Sequence, residues 1–192
     1  MDRNTVDVWS KAVEVATVAH KAQQRKGNGT PYITHPYTVA MLLAKSGCTQ
    51  DVVVAGLLHD TVEDTSLSYE DVKREFGETV ARLVEECSEH DKEKSWEERK
   101  QYTIDKLQHI SAEGCMITCA DKLHNIRSTV KEFEVCGEAV WNRFNRGKDK
   151  QKWYYCSLVT ELGKRIPGFP LYVLLKQEVE DLFGKGNIKS KC

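Results

Sequence analysis

The segment GLLHDTVEDT, residues 56 to 65, sets His59, Asp60, Glu63 and Asp64 at the end of an apolar run. A charge withdrawn from water must be paired, neutralised or bound to a metal, because leaving it alone is costly. The segment therefore reads as either a surface turn or a metal site. Further candidate ligands are His35, ahead of a Pro at a loop-to-helix junction, and Asp121, inside the apolar half of a later helix. Two imidazoles and two carboxylates suit Mn, Fe, Zn or a similar divalent ion. Four protein ligands leave an octahedral ion room for water or a substrate oxygen, as catalysis requires. Glu63 and Asp64 each lie four residues past a candidate ligand, so a continuing helix brings each onto the same face. There they are placed to orient or deprotonate a water whose pKa the ion has lowered. A His-Asp pair at a helix end is also a common dipole partner, and Asp121 also fits a solvated face. Spacing alone leaves both readings open.

The elements that must position these residues read as helices throughout. Val8, Ala12, Val15, Ala16, Ala19 and Ala22 recur at helical spacing, giving a first helix with His20 and Lys21 near its end and a stop at Gly27. KGNGTPYITHP is a loop into a second helix, with Pro36 in its first turn and Gly47 past its end. Thr49 to about Val62 is apolar nearly all round, as a central buried helix should be. Ser68-x-x-Asp71 and Ser95-x-x-Glu98 are capping boxes for two more helices, with a further helical pattern and a charged loop, SEHDKEK, between them. A long pattern through Ile117, Ala120, Leu123 and Val130 carries Asp121 and Asn125. One or two helices around Trp141 to Leu162, an IPGFP break and a last amphipathic helix to Phe183 complete the chain. The expected fold is all-α, about eight to ten helices in a single domain over 1–184, with a flexible tail over 185–192.

Composition narrows the function classes. Hydrophobic residues make up 40% and charged residues 30%, with Lys+Arg 28 against Asp+Glu 29, which suggests neither disorder nor a basic nucleic-acid binder. No apolar run is long enough for a membrane span and no signal-peptide core opens the chain, so a cytoplasmic location is expected. Seven cysteines without a C-x-x-C pair read as reduced, mostly core thiols, Cys115 and Cys119 included.

Taken in order, HKAQQRKGNGTPYITHP, LLHDTVEDT and ADKLHNIRS resemble the motif series of the HD-domain phosphohydrolases, and specifically the hydrolase domain of RelA/SpoT-type alarmone enzymes. The likeness runs over roughly residues 5 to 130. It implies a helical HD fold, a Mn²⁺ ion on His35, His59, Asp60 and Asp121, and hydrolysis of the 3′-pyrophosphate from ppGpp or pppGpp. It further implies that Glu63 and Asp64 position and activate water, and that Arg25, Lys26, Tyr32, Asn125 and Ser128 contact the nucleotide. Ser128 stands where Thr is common in that family, keeping the hydroxyl. Arg25 and Lys26 are cations suited to a polyphosphate, and their plainer reading is an exposed helix end.

The loop R-K-G-N-G-T-P-Y-I is longer than the R-K-S-G-x-P-Y-I form of the long bifunctional enzymes. The chain also stops where their synthetase domain would begin, so the expectation is a stand-alone small alarmone hydrolase that does not make the alarmone. Arg143, Arg146, Lys148, Tyr154 and Tyr155 offer either a phosphate-and-base surface or a solvated helix face with tyrosines tucked inward. His124 reads as a packed histidine, and His20, His90 and His109 have no partners that single them out. Removal of the 2′-phosphate from NADPH, or nucleotide sensing without turnover, are the alternatives to alarmone hydrolysis. The expected partner is a small phosphorylated nucleotide, neither nucleic acid nor a membrane.

Overall fold

The computed structural model describes residues 3–25, 29–89 and 91–184. Among them are ten α-helical segments and one 3₁₀ helix, with no strand beyond an isolated bridge between Gln24 and Pro31. The chain forms two compact units, Met1–His90 and Asp91–Cys192. The expected tail, 185–192, lies outside the described residues, as does His90.

The first unit is built round α3 (Gln50–Leu58), whose residues Val52 to Leu58 are all buried. Nothing polar interrupts that stretch, so it packs on α1 (Arg3–Ala19), α2 (Thr34–Lys45) and α6 (Glu78–Cys87). Each large aliphatic side chain so buried contributes about 1.5–3 kcal/mol against conformational entropy. Contact between α2 and α3 is close enough to require glycine: a Cβ at Gly56 would stand 2.3 Å from Leu43 Cδ1. The single turn α4 (Thr61–Asp64) follows α3. α5 (Tyr69–Phe76) then starts at a complete capping box, Ser68 accepting from the Asp71 amide while Asp71 accepts from the Ser68 amide.

Two boundaries differ from the periodicity reading. α1 ends at Ala19, short of the expected Gly27, because the chain turns there into a narrow loop. The Arg25 amide donates to Thr30 at 2.8 Å and the Tyr32 amide to Gln23 at 2.9 Å, so these backbone groups bond across the loop and not along a helix. The central helix ends at Leu58 and not near Val62. His59 Nδ1 donates to the Gly56 carbonyl at 2.8 Å, and Thr61 Oγ1 to the Leu58 carbonyl at 2.6 Å. These side chains take carbonyls that the next helical turn would otherwise use.

In the second unit, α7 (Trp96–Lys106) begins at the Ser95 capping box and packs on α9 (Gly147–Arg165). The long α8 (Ala112–Cys136) packs on α9, α10 (Pro170–Phe183) and the 3₁₀ helix Gly137–Arg143. Ser111 caps the start of α8, and Gly137, at φ 58°, provides the left-handed residue at its end. Trp141 anchors this unit's aromatic core, with ring centroids of Phe133, Phe144 and Phe183 5.5 to 6.3 Å away. Cys115 and Cys119 are fully buried on α8, and burial pushes the Cys119 thiol far above its usual range. None of the six described cysteines forms a disulfide.

Candidate metal centre

His35 stands in the first turn of α2, its amide bonded to the Tyr32 carbonyl, and only 1% of it is exposed. His59 follows α3 directly and is 3% exposed. Their rings meet edge to face with centroids 5.1 Å apart. Asp60 Oδ2 lies 3.0 Å from His59 Nε2 and 3.6 Å from His35 Nε2, and it accepts the Tyr32 hydroxyl at 2.6 Å.

The bond from His59 Nδ1 to a carbonyl fixes the tautomer, because a carbonyl only accepts. A neutral His59 therefore turns an Nε2 lone pair towards a carboxylate oxygen at 3.0 Å. Two acceptors hold that distance in a buried site only with a proton or a cation between them. Divalent ions bind imidazole nitrogen and carboxylate oxygen at about 2.0–2.2 Å, which places neighbouring ligands about 3 Å apart. The donor set thus fits a divalent metal.

Asp121 is 8% exposed on α8. Asn125 Nδ2 donates to its Oδ1 at 2.5 Å and Lys122 Nζ lies 2.7 Å from its Oδ2, so the i,i+4 partner expected to reach a ligand holds the carboxylate here. Asp121 is thus a buried carboxylate whose two oxygens are both engaged by side chains of its own helix. Within the first unit, Asp60 joins His35 and His59 through its two histidine contacts.

Glu63 and Asp64 occupy the turn α4. Glu63 is half-buried and accepts the Glu89 amide at 2.9 Å. Burial pushes its carboxyl above the usual range, and neighbouring carboxylates add to this while the Glu89 amide opposes it. Asp64 is exposed, and its amide donates to the Asp60 carbonyl. Arg25 is half-buried, its guanidinium 5.9 Å from the Tyr32 ring centre, so it is not a plain exposed helix end. Lys26 lies outside the described residues. The Ser128 hydroxyl donates to the His124 carbonyl of its own helix at 3.0 Å.

The second cationic cluster is engaged internally. Arg143 pairs with Glu132 and donates to Thr129, Arg146 pairs with Glu97, and Lys148 with Glu138, while Tyr154 and Tyr155 are buried. Of the two readings of this segment, tyrosines tucked inward is the one observed. Two residues carrying no role in the sequence reading emerge beside the histidines. His20 is 1% exposed with its ring 5.1 Å from Tyr32, and Gln23 bonds both His20 and the Asp64 carbonyl. Their i,i+3 spacing within HKAQQRKG was the available signal.

A helical fold that brings two histidines and an aspartate together at a His-Asp corner defines a class, and the chain belongs to it: the HD domain family matches residues 12–146. Among particular relatives, it is 39% identical over 130 residues to the guanosine-3′,5′-bis(diphosphate) 3′-pyrophosphohydrolase MESH1 of Danio rerio, covering 66% of this chain and 72% of that protein. A GTP pyrophosphokinase of Streptomyces coelicolor is 40% identical over 131 residues, 67% of this chain and only 15% of that much longer protein. A metazoan SpoT orthologue described as hydrolysing ppGpp superposes with a TM-score of 0.75 at 28% identity, covering 92% of this chain and 96% of the other. A Listeria monocytogenes EGD-e crystal structure gives 0.73 at 38% identity, covering 79% and 99%. Among the described residues no helix is long and apolar enough to cross a membrane.

Proposed function

We propose that the chain is a metal-dependent 3′-pyrophosphohydrolase of guanosine alarmones, acting as one domain in the cytoplasm. The observation that carries this reading is the approach of Asp60 Oδ2 to the Nε2 atoms of two buried histidines, a geometry that suits a cation. Its support is the edge-to-face meeting of the buried His35 and His59 rings, together with relatives named for this reaction.

His35, His59, Asp60 and Asp121 are the proposed ligands, with Mn²⁺ the proposed ion. When bound, such an ion polarises phosphate oxygens and acidifies water. Tyr32 holds Asp60 in place through its hydroxyl. Glu63, its carboxyl raised by burial, and Asp64, one residue further along the same turn, are the proposed acceptors of the proton from the attacking water. That water's oxygen bonds to the phosphorus carried on the nucleotide's 3′-oxygen. The bond from phosphorus to the 3′-oxygen breaks, and the 3′-oxygen leaves with a proton as GDP or GTP while pyrophosphate is released. Arg25 and Lys26 counter the polyphosphate charge, and Asn125 and Ser128 face the nucleoside.

Incubating purified protein and Mn²⁺ with ppGpp, pppGpp and NADPH, with products identified by mass, tests the reading. Pyrophosphate and GDP from ppGpp are expected. Orthophosphate from NADPH alone, or binding of nucleotide without products, would overturn it.

A further inference from the structure

We propose that Gln23, oriented by His20, is a positioning residue for hydrolysis: it clamps the turn carrying Glu63 and Asp64 to the loop carrying Arg25 and Tyr32. The inference rests on the alarmone-hydrolase reading for its kinetic consequence, though not for the clamp.

The Asp64 carbonyl only accepts, so the Gln23 atom 2.7 Å from it is the amide nitrogen, donating. That orientation turns Gln23 Oε1 to His20 Nδ1, also at 2.7 Å, so His20 carries its proton on Nδ1. His20 is nearly sealed from solvent, and its Nε2 has no hydrogen-bond partner among the described residues. A buried imidazole nitrogen left in that state is costly, and the Nδ1 bond is what holds the ring there. The ring also lies against Tyr32, whose amide donates to the Gln23 carbonyl at 2.9 Å and whose hydroxyl donates to Asp60. One residue thus reaches the Asp64 turn through its side chain and the Tyr32 strand of the loop through its backbone. Neither His20 nor Gln23 is a proposed metal ligand or substrate contact. Their effect passes through Asp60, Asp64 and Arg25.

Gln23→Glu keeps the shape and the acceptor for His20 but sets an acceptor against the Asp64 carbonyl. It is expected to lower kcat for ppGpp by about 10²-fold, since a small displacement of a reacting group costs that much. KM and Mn²⁺ affinity should stay within about threefold, the pattern of an interaction that matters in the transition state. Amide hydrogen exchange over residues 60–66 should accelerate. His20→Phe fills the space without a donor and should reproduce the kcat loss, whereas His20→Asn, whose side-chain nitrogen replaces Nδ1, should restore most of it. A Gln23→Glu protein with unchanged exchange over 60–66, or with its loss confined to KM or metal affinity, overturns the proposal. If the unaltered protein leaves ppGpp intact, the functional reading fails, and the exchange comparison still decides the clamp.

Discussion

Gly56→Ala tests whether the metal corner depends on the spacing of α2 and α3, since His35 begins the first helix and His59 follows the second. A Cβ at position 56 would stand 2.3 Å from Leu43 Cδ1 and 3.5 Å from Val39 Cγ1. Leu43 and Val39 are fully buried, so neither can swing into solvent. Overpacking a close-packed interior costs about 1–3 kcal/mol. Against this, alanine is favoured over glycine within a helix by about 1 kcal/mol. The net expectation is destabilisation by up to about 2 kcal/mol, with α3 displaced from α2.

A double-mutant cycle isolates the clash. Leu43→Ala alone should cost about 2–5 kcal/mol, as truncations of buried leucine do. In the double variant the new methyl occupies part of the space that Leu43 vacates, so the combined cost should fall short of the sum by about 1–2 kcal/mol. Urea denaturation of the four proteins measures this directly, with Mn²⁺ titration reporting the metal corner. Additivity within about 0.5 kcal/mol, or a Gly56→Ala protein more stable than its parent, would refute the reasoning.

Three further outcomes are expected. His59→Ala should abolish stoichiometric Mn²⁺ binding by calorimetry, whereas Asp64→Asn should bind the ion normally and lose about 10²–10⁴-fold in kcat. Arg165 donates to the carbonyls of Leu107 and Ile110 at 3.2 and 2.7 Å, and to Gln108, at the end of α7; Arg165→Ala should cost about 2 kcal/mol by thermal unfolding, with Lys, a single ammonium, recovering only part. The Asp71 carboxyl, held down first by the Ser68 hydroxyl, then by the Ser68 amide and Arg74, should titrate at about 2 by NMR. Its folded pKa lies below its unfolded value, so its contribution to stability is present above the ordinary carboxylate range and is lost as pH falls through about 2. Ser68→Ala should move that titration back up.

Local rules made much of this legible. Both capping boxes are complete, because a Ser with an acid three residues on satisfies two orphan amides without any distant partner. The apolar run before His59 is buried on all sides, as its composition demands. Asp121 and Asn125 do meet along α8, because residues four apart share a helical face. What escaped was set by contacts that periodicity does not encode. Ala22 continues the spacing of α1, yet backbone bonding between Arg25 and Thr30 makes that stretch a loop. His20 looked partnerless because its partners are Gln23, a neutral residue with no charge signal, and the face of Tyr32.

The end of α3 shows how a local choice and the site's chemistry are joined. In an uninterrupted helix, the Gly56 and Leu58 carbonyls would accept from the amides four residues on, and nothing would decide which nitrogen of His59 carries its proton. Here the His59 side chain takes the Gly56 carbonyl, and that bond leaves the Nε2 lone pair facing Asp60. The Thr61 hydroxyl takes the Leu58 carbonyl, and the chain re-enters a helical turn that carries Glu63 and Asp64 forward. The interruption therefore supplies the tautomer as well as the turn. Histidine performs both tasks because its two ring nitrogens separate the donor that ends the helix from the lone pair that meets a cation. An asparagine at position 59 would provide the donor alone.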